Sequence, residues 1–339
     1  MARAAGLTIL LSLLAWCAAS DVRAQVVAEP LLTGLNTPLG VTVDRESGAT
    51  FVSEAGAGRI LRVDGQKTVP VVVGFPTAAY GPGDSLRAGP GALAMIDKQT
   101  VVVFDGGAAE GLDAARVYRI PEASQPPVDY AAPLAKLGPF TARGAQRSAV
   151  GLGAVAWNQS AVVLGGSADE PQGWLYRAIR TGEKWHAATQ LIATRELVGR
   201  SSPAALATSP RGEVVVGQAG TLDQPGDSLL SFYNLNSGRL LLSLPTGLHD
   251  IVAVDYSPKT GQLYALDLAW NRPADAGLYQ LVSAFKDGLP AMTTRKIVAL
   301  ERPVALAFRG DGELLIASLG PAGSDGTKSG RVLRVAPGL

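Results

Sequence analysis

The sequence predicts an all-β chain folded as a six-bladed β-propeller of four-stranded antiparallel blades, closed by its N-terminal strand. Three observations carry that prediction. A short alternating segment, typified by Arg59-Ile60-Leu61-Arg62-Val63 and Arg331-Val332-Leu333-Arg334-Val335, recurs six times along the chain. An aliphatic strand precedes each copy, and a strand rich in small residues precedes that. The last copy ends too near Leu339 for a fourth strand to follow it, while an unassigned strand-like run, Val26 to Leu32, stands at the start. Radial repetition with ring closure accounts for all three.

The recurring segment is centred on Leu61, Tyr118, Tyr176, Leu230, Tyr279 and Leu333, at spacings of 57, 58, 54, 49 and 54 residues. Its apolar and polar residues alternate as in a half-buried strand. The strand before it is marked by Val52, Val103, Val163, Val215, Ala265 and Ile316, at spacings of 51, 60, 52, 50 and 51. Further upstream lie Leu39 to Val43, Gly91 to Met95, Gly153 to Trp157, Ala204 to Ala207, Ile251 to Val254 and Val304 to Phe308. Their Gly and Ala content suits the crowded centre of a ring. Turn signals such as Ser209-Pro210-Arg211-Gly212 and Arg309-Gly310-Asp311-Gly312 join these two strands. A fourth strand follows in five repeats, as in Val69 to Val73, Gln190 to Ala193, Leu240 to Leu244 and Lys296 to Leu300. The sixth repeat takes its own from Val26 to Leu32, because an unpaired last blade would leave open strand edges.

Composition is consistent with this architecture and excludes several function classes. The 339 residues include 40 glycines and 22 prolines, yet 47% are hydrophobic and the net charge is +1, so the chain is globular and turn-rich rather than disordered. Lys+Arg at 30 against Asp+Glu at 29 gives no basic excess for nucleic acid or an anionic membrane. Arg3, the apolar run Ala4 to Trp16 and the small residues up to Ala24 have the order of a secretory signal peptide. Residues 1–24 are therefore read as a signal and residues 25–339 as one exported propeller domain, periplasmic or extracellular, with no membrane span in the mature chain. Cys17 is the one cysteine and falls inside that signal, so the mature domain has no internal disulfide; separately, a monomer is expected. Trp16 before Cys17 departs from a lipoprotein box, which calls for a small residue there.

The stretches Leu35-Asn36-Thr37-Pro38-Leu39-Gly40-Val41-Thr42-Val43-Asp44 and Arg302-Pro303-Val304-Ala305-Leu306-Ala307-Phe308, with Phe51-Val52-Ser53-Glu54 and Gly312-Glu313-Leu314-Leu315-Ile316-Ala317-Ser318, resemble NHL-repeat and sorbosone-dehydrogenase-like (ScyD/ScyE-type) six-bladed propellers. The resemblance covers six blades in architecture and is sharp in the first and last. It implies either sugar dehydrogenases using pyrroloquinoline quinone, gluconolactonase-like enzymes using a divalent cation such as calcium, or binding modules without turnover. The sugar dehydrogenases place a catalytic His in the early blades. Here the second blade reads Arg87-Ala88-Gly89-Pro90-Gly91-Ala92-Leu93-Ala94, with no His.

Candidate residues follow from position in the repeat. Glu54, Asp105 and Asp267 end second strands, where Gly165, Gly217 and Ser318 are neutral, and three carboxylates from different blades would suit a hard cation. Asn36, Arg87, Arg147, Arg200, His249 and Arg302 supply one polar or cationic residue ahead of each inner strand. Turned inward, they would ring the channel mouth and hold a small polar or anionic molecule. Tyr80, Trp270 and Asn271 lie in loops of the same face. In an enzyme, His249 or one of these carboxylates would move the proton, since His186 stands in an outer turn. The expectation is a propeller that binds a small polar ligand or a protein partner at this mouth without turnover. The alternative is a sugar or lactone enzyme using a metal or quinone there.

Overall fold

A computed structural model of the chain describes residues 26–80, 86–108, 114–140, 155–158, 161–165, 172–221, 223–321 and 328–339. The expected signal peptide with Cys17, and Arg147, lie outside these residues. Six antiparallel blades form the predicted propeller. The inner, second, third and outer strands of blade 1 are Pro38–Val43, Thr50–Glu54, Arg59–Asp64 and Lys67–Val73. Blade 2 has Pro90–Asp97, Thr100–Asp105, Ala114–Arg119 and Ala135–Leu137. Blade 3 has Val155–Asn158, Ala161–Gly165, Trp174–Thr181 and Thr189–Ala193. Blade 4 has Pro203–Thr208, Val214–Gln218, Leu229–Tyr233 and Leu240–Pro245. Blade 5 has Ile251–Tyr256, Leu263–Asp267, Gly277–Lys286 and Leu289–Ala299. Blade 6 has Pro303–Phe308, Leu314–Ser318 and Gly330–Val335, with Ala28–Leu35 as its outer strand.

That last pairing closes the ring, with Ala28 opposite Val335 and Leu35 opposite Gly330. The strand runs three residues further than its alternation suggests. Bulges between Pro30 and Leu32 and between Thr33 and Leu35 reset the side-chain period, so Leu32 and Leu35 both face inward although three apart. Both join the cluster packed between blades 1 and 6, with Val41, Leu61, Leu315 and Val332. Such inter-blade layers are the core of the ring, because each strand presents alternate residues to the blades on either side. Each large aliphatic side chain fully buried there contributes about 1.5–3 kcal/mol.

Departures from a plain four-strand repeat in blades 2 and 5 were not visible in the sequence. After its third strand, blade 2 does not return directly. Residues 120–134 cross to blade 1, where Val128–Asp129 adds a fifth, parallel strand against Val72 and Val73, before Ala135–Leu137 completes blade 2. In blade 5 the third and outer strands extend into a long ribbon, turned at Asp287 (φ 53°) and Gly288 (φ 77°), the left-handed pair a tight two-residue hairpin needs.

The inner strands surround a channel. Gly40, Ala92, Ala204, Ala253 and Ala305 line a waist of about 70 Å³. A Cβ on Gly40 would lie 2.5 Å from the carbonyl oxygen of Gly91, so the small residues of these strands answer to close approach of neighbouring backbones. Among the described residues no helix is long and apolar enough to cross a membrane.

Candidate functional site

Strand direction gives the ring two unlike faces. Links entering inner strands and the second-to-third loops open on one, the long-loop face. Inner-to-second and third-to-outer hairpins open on the other, the hairpin face.

The three carboxylates predicted as metal ligands lie on the long-loop face, buried, and each is engaged within its own surroundings. Glu54 Oε1 accepts the Asn36 backbone N–H at 2.7 Å and Oε2 accepts Arg59 Nε at 2.6 Å. Asp105 Oδ2 accepts Arg116 Nε at 3.0 Å and the Tyr130 hydroxyl at 2.8 Å. Asp267 takes three backbone N–H groups, His249 and Asp250 at 3.0 and 2.7 Å and Ala269 at 3.1 Å, and so fixes the link entering blade 5. Among the described residues there is no group of three or more His, Cys, Asp or Glu placed to hold a metal ion. The register also corrects the blade 4 equivalent: Gln218, not Gly217, faces Pro203 as Glu54 faces Pro38. The Gln218 amide is buried, with no hydrogen-bond partner for either polar atom among the described residues.

The predicted cationic rim is likewise dispersed. Arg200 pairs with Asp227 at 2.9 Å. Arg302, at φ 44°, donates to the Pro321 carbonyl at 3.3 Å, and burial pulls its guanidinium below the ordinary value. Arg87 is exposed on a small hairpin of Ala78–Tyr80 and Leu86–Ala88; the Tyr80 side chain and Arg147 are outside what is described. Asn36 engages Glu54 through its backbone.

His249 and its surroundings form the one cluster the predicted residues make. Nδ1 accepts the Gly226 N–H at 2.9 Å, which leaves Nε2 to carry the ring proton toward Asp275, 3.3 Å away. Its neighbour Asp250 turns elsewhere and accepts the Trp270 N–H at 2.8 Å. Asp250 is the group that no motif or repeat position singled out. Burial lifts its carboxyl above the ordinary value, with Asp267 and Asp227 adding to the effect and the Trp270 N–H and His249 opposing it. Trp270 and Asn271 are exposed on the following turn.

A cavity of about 830 Å³ is on the opposite side, at the hairpin-face mouth of the channel. Its walls are the ends of inner strands, including Val43, Met95, Leu206, Val254 and Phe308. Its rim carries Asp44, Arg45, Glu46, Asp97, Lys98 and Asp255 from three blades. No local sequence pattern marks this volume, because it exists only where strand ends as far apart in the chain as Val43 and Phe308 converge.

No family model matches the chain, and no curated protein matches it. Solved structures do. The pyrroloquinoline-quinone-bound aldose sugar dehydrogenase of Streptomyces coelicolor is 13% identical, with 92% of this chain and 97% of that one covered at a TM-score of 0.58. A glucose dehydrogenase is 15% identical over 92% of this chain and all of its own, at 0.62. A protein provisionally named a gluconolactonase is 12% identical over 92% of each chain, at 0.56. At these identities the likeness is one of fold.

Proposed function

We propose that the chain is an exported propeller that binds a small molecule in its central channel without turning it over. The observation that carries this reading is the 830 Å³ hairpin-face cavity, whose apolar walls and polar rim are of the size and make-up that ligand sites share. Export rests on the residue order of 1–24. The cofactors used by the similar folds do not fit the described residues. A divalent cation would need carboxylates that converge, and among the described residues no three His, Cys, Asp or Glu side chains do so. A quinone bearing several carboxylates would need several open cations, whereas of the described rim arginines Arg87 is exposed, Arg200 is held by Asp227 and Arg302 donates to the Pro321 carbonyl.

A thermal-shift screen of small polar and amphipathic compounds tests the proposal, because a ligand specific to the folded state raises the melting temperature by mass action. Hits should disappear in Thr208→Trp, which adds bulk to a lining position of the cavity, and persist in Asp250→Asn. A panel that gives no shift overturns the reading.

Asp250 favours one second reading, an enzyme of sugar or lactone chemistry on the long-loop face. A half-buried carboxyl with a raised pKa beside a Trp is a plausible acid–base group for a polyhydroxylated substrate. Hydrolysis of glucono-δ-lactone, lost in Asp250→Asn and kept in Thr208→Trp, would establish it in place of the first.

A further inference from the structure

The charges around the hairpin-face cavity differ in how firmly they are held, and that difference identifies a class of ligand; the inference rests on the cavity being the ligand site. Asp255, on the inner strand of blade 5, is fixed. Its Oδ1 accepts the Tyr256 N–H at 2.8 Å and its Oδ2 the Phe308 N–H at 3.3 Å. Asp44 is fixed in the same way, by the N–H groups of Glu46 and Ser47 at 3.3 Å each. The cations are not. Arg45 projects from the first hairpin of blade 1, passes blade 6, and places Nη2 2.9 Å from both oxygens of Asp255. Its side chain is 51% exposed against 19% for Asp255. Lys98 meets Glu46 at 2.8 Å with both side chains more than half exposed, so that pair belongs to the outer rim.

Arg45 is half exposed, so its guanidinium can trade Asp255 for water, and the cost of parting falls on the largely buried Asp255. Asp255 cannot follow, and without Arg45 it presents a fixed negative charge beside an apolar wall. We propose that this pocket binds a small organic cation, an amine or guanidine on an apolar body, whose charged head replaces the Arg45 guanidinium on Asp255. Arg45 is then a built-in stand-in that marks the subsite and keeps Asp255 paired while the pocket is empty of ligand. An anion is disfavoured. The lining holds four carboxylates, Asp44, Glu46, Asp97 and Asp255, against Arg45 and Lys98, and an anion taken by Arg45 would leave Asp255 facing it unpaired. The half-buried Met95 and Ile96 on the lining supply contact for the apolar body.

Calorimetric titration of the full chain with three probes of similar shape tests this: phenethylamine, 2-phenylethanol and 3-phenylpropionate. The amine is expected to bind at least about tenfold more tightly than the alcohol, and the carboxylate least. Arg45→Gln vacates the subsite and should tighten amine binding several-fold. Asp255→Asn should make amine and alcohol equal. If the asparagine variant does not fold, Arg45→Gln, at an exposed position, carries the test alone. Equal binding of all three probes, preference for the carboxylate, or weaker amine binding in Arg45→Gln overturns the inference while leaving the pocket intact as a site. Binding of none of them, to wild type or to Arg45→Gln, overturns both the inference and the pocket reading.

Discussion

The hydroxyl of Tyr130 donates to Asp105 Oδ2 at 2.8 Å, and that bond fastens a strand of blade 1 to the end of a strand of blade 2. Tyr130 follows the short strand Val128–Asp129, so the segment that leaves blade 2 to edge blade 1 is tied back to the blade it came from. Arg116 completes the arrangement, with Nε on the same carboxylate oxygen at 3.0 Å and its guanidinium carbon 4.0 Å from the centre of the Tyr130 ring. Burial, then the hydrogen bond to Asp105, pushes the Tyr130 phenol up to about 12, so it stays a donor throughout the neutral range.

Tyr130→Phe should therefore destabilise the protein without touching ligand binding. It removes one donor from a carboxylate whose other oxygen already has no partner among the described residues. The expected loss is about 0.5–1.5 kcal/mol, the net worth of one hydrogen bond, because Arg116 Nε still donates to the same oxygen. Urea unfolding read by tryptophan fluorescence measures it, and an unchanged midpoint would show that the detour is held by strand pairing alone.

Ring closure predicts a larger effect at the N-terminal strand. Removing residues 26–35 takes Leu32 and Leu35 out of the layer between blades 1 and 6 and exposes the edge of Gly330–Val335. The shortened chain should unfold at markedly lower urea and self-associate, as sedimentation would show. A single Leu32→Asp substitution, which leaves the backbone pairing available, tests whether the packing or the pairing dominates.

Asp267 is expected to matter as a backbone clamp rather than as a metal ligand. Asp267→Ala strands the N–H groups of His249, Asp250 and Ala269 and should cost at least about 2 kcal/mol, with Asp267→Asn intermediate because one oxygen still accepts. Correspondingly, a chelated and dialysed sample should keep its melting temperature when calcium, magnesium, manganese or zinc is added. A rise with any of them that Asp267→Asn abolishes would restore the carboxylate to the role its position in the repeat suggested.

The repeat made the ring legible because every blade must solve the same packing problem. Val52, Val103, Val163, Val215, Ala265 and Ile316 all fall within second strands, and the short inner strands carry the small residues the waist requires. The N-terminal closure was legible for a related reason, since a missing strand at one end and a spare one at the other have one economical solution. The sites were not. Second-strand carboxylates look alike in sequence, but what each accepts depends on neighbours 5 to 25 residues away: Arg59 for Glu54, Tyr130 for Asp105, the entering link for Asp267. Arg45 and Asp255 are 210 residues apart and in blades that are not adjacent, so no spacing rule could have joined them.

Asp250 supplies a test in pH. Its folded-state carboxyl titrates above the ordinary value, chiefly because it is buried, so over the interval between the two values the folded chain binds more protons than the unfolded one. Stability therefore falls as pH rises from about 4 through the raised value, and the penalty is fully present above it. Asp250→Asn removes the titration and can keep the acceptor for the Trp270 N–H. The variant should be at least as stable as wild type at pH 7, with the difference between them shrinking and reversing toward pH 4. Melting curves at half-unit intervals from pH 4 to 8 measure this directly. A variant that is less stable at pH 7 by the same margin as at pH 4 would mean that Asp250 acts through its hydrogen bond alone, and would remove the group on which the enzymatic reading depends.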